Sequence, residues 1–156
     1  HRCTCKPADV QKYVSRISGP MLDRIDIQIE LPSLSYEELA ARKPDTNETS
    51  ADVRARVCRA RAYAAARMSG EDSARIFCNA QLDSASIRRY CAATPAAMEL
   101  LRTAYTSLGL SARGYDRVMR VARTVADLDG SERIEEQHIA EAIQLRSLDK
   151  KYWGDR

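Results

Sequence analysis

Hydrophobic and polar positions repeat along this chain in two rhythms, and the change of rhythm divides it. In ADVQKYVSRI (8–17), Val10, Tyr13, Val14 and Ile17 recur at helical spacing, which predicts a short helix. Ser18-Gly19-Pro20 breaks it, because proline lacks a donor and restricts the residue before it. MLDRI has room for another turn or two. In DIQIELP the period drops to two: Ile25, Ile27, Ile29 and Leu31 alternate with Asp26, Gln28 and Glu30, which predicts a β-strand over 25–31 ended by Pro32. A single strand cannot satisfy its own edges, so this one needs partners that the chain does not evidently supply. Ser35-x-x-Glu38 then forms a capping box for a short helix, YEELAAR.

Residues 43–49, KPDTNET, are polar and aperiodic and form the expected linker. Beyond them every periodic stretch is helical. Ser50 is the expected cap of a helix to about Met68, with Val53, Val57, Ala60 and Ala64 as its stripe and Ser69-Gly70 as its stop. Residues 73–81 read as extended or irregular. Asp83 or Ser84 caps a short helix through Cys91, and Thr94-Pro95 opens another, striped by Met98, Leu101, Tyr105 and Leu108. Ser111 caps SARGYDRVMRVARTVADL, with Gly130 just past its end. On that helix Tyr115, Val118, Met119, Ala122, Val125 and Ala126 share one face. Arg113, Arg117 and Arg120 share the other, continued by Thr124 and Asp127. A last helix, Glu135 to Leu145, carries Ile139, Ala142 and Ile143, with Ile134 placed to staple onto Ile139. The tail 147–156 is polar apart from Tyr152 and Trp153. The pattern predicts a mainly α chain: a helix–strand piece over 1–42 that looks like the edge of something else, a linker, and a helical bundle over 50–146.

Composition adds limits more than it adds chemistry. At 156 residues, 44% hydrophobic and 30% charged, the chain has the make-up of one soluble globular domain or a domain plus a fragment. Aromatics are 6%, so the core is built from Leu, Ile, Val, Ala and Met. A net charge of +3 is too mild to argue for nucleic acid by itself. No apolar run reaches the roughly 18 residues of a membrane span. The polar start HRCTCKPADV has no signal-peptide pattern and no initiator Met, and the chain reads as cut from something longer. Five cysteines without framework spacing point to free thiols and a cytoplasmic protein.

The chemistry-bearing residues are few. Gly109 and Gly114 have the glycine spacing of a phosphate-binding loop, but Tyr115-Asp116 stand where Lys and Ser or Thr are required, and no strand precedes them. His1 and His138 have no ligand spacing, and His138 reads as a surface residue. Cys3 and Cys5 are either two free thiols or half of a tetrahedral zinc site. The arginine row Arg113, Arg117, Arg120 reads either as a solvated face or as a phosphate-binding surface, the latter giving a basic module that docks on nucleic acid. Arg24, in LDRID, either closes a local salt bridge with Asp23 or Asp26, or is aimed outward at a neighbour's phosphate, which suits its fixed fork and permanent charge. Nothing in the sequence performs chemistry unaided.

SGPMLDRIDIQIELP, GLSARGYDRVMRVARTVADLDG and EQHIAEAIQLR together resemble the C-terminal part of the ComM/YifB family of magnesium-chelatase-like AAA+ ATPases. The resemblance covers essentially the whole chain. It implies that Arg24 is an arginine finger acting in trans, that Arg113 is the sensor-2 arginine of a helical lid at 50–146, and that strand 25–31 is the last strand of an α/β ATPase core. Arg117 and Arg120 receive no named role from it and stay candidates for phosphate or interface contacts. It further implies ATP and Mg2+, a homo-oligomeric ring (a hexamer) and DNA as partner, with no membrane. Family members carry a second cysteine pair, which would complete a zinc knuckle with Cys3 and Cys5. The Walker motifs, sensor 1 and pore loops of the family are not in this sequence, so the chain is not expected to hydrolyse ATP alone.

Overall fold

The computed structural model describes residues 4–22, 24–40, 48–68 and 75–146. Three short helices come first: α1 (Pro7–Val14), α2 (Gly19–Leu22) and α3 (Tyr36–Ala40). The long α4 (Ser50–Arg67) follows, then a 3-10 turn at Asn79–Gln81, α5 (Ser84–Tyr90), α6 (Pro95–Leu108), α7 (Ala112–Leu128) and α8 (Glu136–Gln144).

Local chemistry explains the boundaries. The α5, α6 and α7 caps are Asp83, Thr94 and Ser111, each accepting a first-turn N–H: from Ser86 at 2.8 Å, Ala97 at 3.2 Å and Gly114 at 3.0 Å. Gly109 ends α6 at φ +62°, a left-handed conformation that glycine adopts without a Cβ penalty. One expected cap is displaced by a residue. Thr49, not Ser50, caps α4, because its hydroxyl and the Asp52 carboxylate bond reciprocally to each other's backbone N–H. The expected Ser35–Glu38 box, the linker 43–49, the stop at Ser69-Gly70 and the tail rest wholly or partly on groups outside the described residues.

α7 is the axis of the bundle and packs against α8, α4, α5 and the 3-10 turn, while α6 packs on α8. Its predicted apolar face is the buried one: Val118, Met119, Ala122, Val125 and Ala126 all lie in the core with Leu101, Ile134 and Ile139. Burying each of those last three is worth roughly 1.5–3 kcal/mol. Ile134 also joins two connections of the bundle through its backbone. It donates to Ala92 O at 2.8 Å and accepts from Thr94 N–H at 2.9 Å, a short parallel bridge between the α5–α6 and α7–α8 connections.

Four expectations are corrected. On α4 the expected apolar stripe is largely uncovered: Val53 and Val57 are exposed and Ala60 alone is buried. On α6 the buried residues are Ala97, Leu101 and Ala104, whereas Met98 and Tyr105 are exposed. The buried face of α6 is thus made of two alanines and one leucine, and the bulkier Met98 and Tyr105 stay outside it. His138 is wholly buried rather than superficial: its Nδ1 accepts from Glu135 N–H at 2.9 Å and its Nε2 lies 3.1 Å from Asp129 Oδ2. It therefore closes the first turn of α8. Finally, residues 25–31 form no strand among the described residues. Their apolar set, Ile25, Ile27, Ile29 and Leu31, is exposed, since no neighbouring strand is there to pair with the backbone.

Candidate functional site

The 25–31 segment is held to the bundle at its start. Gln28 N–H donates to Leu145 O at 2.7 Å, and the Arg146 guanidinium donates to Ile25 O at 2.9 Å. Between them Asp26 forms an ion pair with Arg117 on α7. The two sequence motifs LDRID and SARGYDR, ninety-one positions apart at Asp26 and Arg117, are thus joined directly.

Arg24 sits one turn before this tether. Backbone bonds Arg24 N–H to Met21 O (3.0 Å) and Ile25 N–H to Leu22 O (2.9 Å) make a tight turn that buries Leu22 and leaves Arg24 exposed. The guanidinium folds back onto Pro20 O at 3.2 Å. Asp26, one of the two acids that flank it in sequence, is engaged by Arg117 instead; Asp23 lies outside the described residues.

The arginine row on α7 is not one surface. Arg117 holds Asp26, and Arg120 donates to Leu82 O at 2.7 Å. Both are consumed in tying neighbouring segments to the helix. Arg113 is different: it is exposed in the first turn of α7 and its guanidinium forms no hydrogen bond or ion pair with another described residue. A cation there gains nothing from the helix, whose N-terminal end already carries partial positive charge. The helix dipole and the guanidinium together make this end attractive to an anion.

The sequence reading missed a buried polar knot at the opposite, C-terminal end of α7. Asp127 accepts from Arg67 (2.9 Å), from Asn79 (2.7 Å) and from Arg123 (3.0 Å). Arg67 also reaches Asn79 Oδ1 at 3.1 Å, and Asn79 donates to Thr124 at 3.1 Å. Arg123 is wholly buried and caps the α7–α8 connection by donating to Glu132 O at 2.9 Å and to Ser131 O. Burial pulls its guanidinium below the usual arginine range, and Asp127 opposes that shift. Nearby, burial pushes the Cys91 thiol up to about 11, so it stays protonated and inert at neutral pH. The available signal was Asp127 itself: an acid four residues after an arginine in a last helical turn needs a partner.

Cys5 is exposed, and Cys3 lies outside the described residues. Among the described residues no cluster of three or more His, Cys, Asp or Glu can hold a metal, so the zinc knuckle finds no support. No helix among them is long and apolar enough to cross a membrane.

Comparison with known proteins agrees with the two halves of this architecture. Residues 47–146 match the family model described as magnesium chelatase, subunit ChlI C-terminal, and residues 1–39 match that of magnesium chelatase, subunit ChlI. The competence protein ComM of Haemophilus influenzae is 39% identical over 142 residues, 91% of this chain and 26% of its own length. YifB of Escherichia coli, an uncharacterized protein, is 36% identical over 146 residues, 94% of this chain and 27% of its own length. The chain thus spans about a quarter of the length of the curated relatives it matches. A helical bundle with this match over most of its length belongs to the magnesium chelatase ChlI C-terminal family, and its relatives include ComM and YifB.

Proposed function

We propose that this chain is the finger-bearing edge and helical lid of a ring-forming AAA+ ATPase. Arg24 supplies an arginine finger to the nucleotide site of the next subunit, and Arg113 acts as the sensor-2 arginine. ATP with Mg2+ is the nucleotide this reading requires. The observation that carries it is the contrast between the arginines. Arg117 and Arg120 are tied to protein groups, while Arg113 stays exposed at an anion-attracting helix end and Arg24 stays exposed on a tethered turn. Both fit the needs of phosphoryl transfer, in which fixed positive charge stabilises the charge that develops on the transferred group. The resemblance to ComM, named as a competence protein, supports DNA remodelling as the work to which hydrolysis is coupled.

The test is ATP turnover of the intact protein, wild type beside Arg24→Ala, with ring assembly checked by sedimentation. The expected result is a fall of about two orders of magnitude, about 3 kcal/mol of transition-state stabilisation. Unchanged turnover in an assembled ring would return Arg24 to a surface residue bonded to Pro20 O.

A further inference from the structure

The first half of α4 stands clear of the bundle: every residue from Ser50 to Arg59 is exposed, and Ala60 is the one buried residue of this helix. This protruding stretch is strongly basic. It carries Arg54, Arg56, Arg59 and Arg61, all exposed, against the acids Glu48 and Asp52. Asp52 is committed to the cap with Thr49. Glu48 pairs with Arg56 on the surface, with both side chains nearly half exposed, so that pair is weak. Arg54, Arg59 and Arg61 have no ion pair among the described residues.

Their arrangement around the helix is specific. At about 100° per residue, Arg54 and Arg61 fall together, and Arg56 and Arg59 fall together roughly half a turn away. The face that continues the buried Ala60 lies on one side between the pairs. On the other, outward side lie Ala51, Ala55, Cys58 and Ala62, all exposed and all small. The helix therefore presents two flanks of guanidinium groups separated by about a helix diameter, roughly 10–12 Å, with nothing bulky between them.

We propose that the exposed half of α4 is a docking surface for double-stranded nucleic acid, seated along the major groove with each arginine pair on one phosphate strand. The groove is about 12 Å wide and admits one α-helix, so its two walls of phosphate match the two flanks. The small outward residues let the helix approach the groove floor. Arginine's planar fork suits bidentate contact with phosphate. An acidic peptide would offer its carboxylates along one line and engage one flank, which is why the duplex is the better match. The proposal deepens the DNA-linked reading above by naming the contact surface, and it does not depend on Arg24 or Arg113.

The experiment measures binding of a fluorescent 20-base-pair duplex to the 156-residue chain by anisotropy between 50 and 200 mM salt. The wild type is compared with the variant Arg54→Ala/Arg56→Ala/Arg59→Ala/Arg61→Ala, with helicity checked by circular dichroism. Arg133→Ala serves as a control for general loss of positive charge. Four phosphate contacts predict a log–log salt slope of about −3.6, so the wild type should lose roughly 100-fold in affinity over this range. The quadruple variant should lose most of that slope, and Arg133→Ala should keep it. Arg→Lys at the same four positions, which keeps charge and helix, should retain most of the slope, and the helicity check separates loss of charge from a folding defect in the alanine variant. Absence of binding at 50 mM salt, or an alanine variant that binds like wild type, overturns the proposal. So does competition by poly-glutamate as effective as that by unlabelled duplex at equal charge, which would point to an acidic protein instead. Basal ATP turnover of the intact protein should be untouched by these α4 variants, so failure here and failure of the finger reading are told apart.

Discussion

Asp127 lies in the last turn of α7, where the helix dipole disfavours a negative charge, yet it is almost wholly buried. Its stability comes from three donors on three elements: Arg67 of α4, Asn79 of the 3-10 turn and Arg123 of α7 itself. Removing the carboxylate would leave the fully buried Arg123 without its counter-charge. Asp127→Ala is therefore expected to destabilise the chain by about 3–5 kcal/mol, read from urea denaturation. Asp127→Asn, which keeps the shape, should cost less. A loss below about 1 kcal/mol for the alanine variant would mean that the knot is not a determinant of stability. This residue also shows where sequence reading ran out. Asp127 continues the polar row of Arg113, Arg117 and Arg120 on a helical wheel, and a wheel reports polarity without reporting what lies opposite. The same holds for His138, whose burial depends on Asp129 and Glu135 closing around it.

At the scale of elements, α7 was legible almost residue by residue, from its Ser111 cap to its apolar face, because a strongly amphipathic helix encodes its own register. The strand at 25–31 was not. Its alternation is a statement about two faces, and pairing requires a neighbour that alternation cannot supply. What the segment has instead is a tether to α7 and α8 through Asp26–Arg117, Gln28–Leu145 and Arg146–Ile25. The ion pair is the part that a substitution can isolate. Arg117 is mostly buried and Asp26 is partly exposed, so a double-mutant cycle of Asp26→Ala and Arg117→Ala should give a coupling of about 0.5–1 kcal/mol. The Gln28 amide should exchange faster in either single variant. Zero coupling and unchanged exchange would make the pair incidental and leave the Arg24 turn held by the Gln28–Leu145 and Arg146–Ile25 bonds.

For the whole molecule, the tether gives the two motifs a physical relation. Arg24 and Arg113 are both linked to α7, the first on a turn bonded to it through Asp26, the second on its own first turn. On the proposed reading, a lid that moves with its nucleotide carries Arg24 with it, so occupancy at one site of the ring is felt at the next. Most of the fold was readable because helical periodicity and caps are local. The site was readable only as isolated arginines, because which of them are free is decided by Asp26 and Leu82, residues distant in the chain.

The most direct measurement mixes two variants of the intact protein before assembly: Arg24→Ala, and a variant whose phosphate-binding loop is disabled. Each alone should be nearly inactive in ATP turnover. In an equal mixture about one interface in four joins a working nucleotide site to a neighbour's intact Arg24, so turnover should recover to about that fraction of wild type. No recovery in mixed rings of demonstrated assembly would contradict a finger acting between subunits.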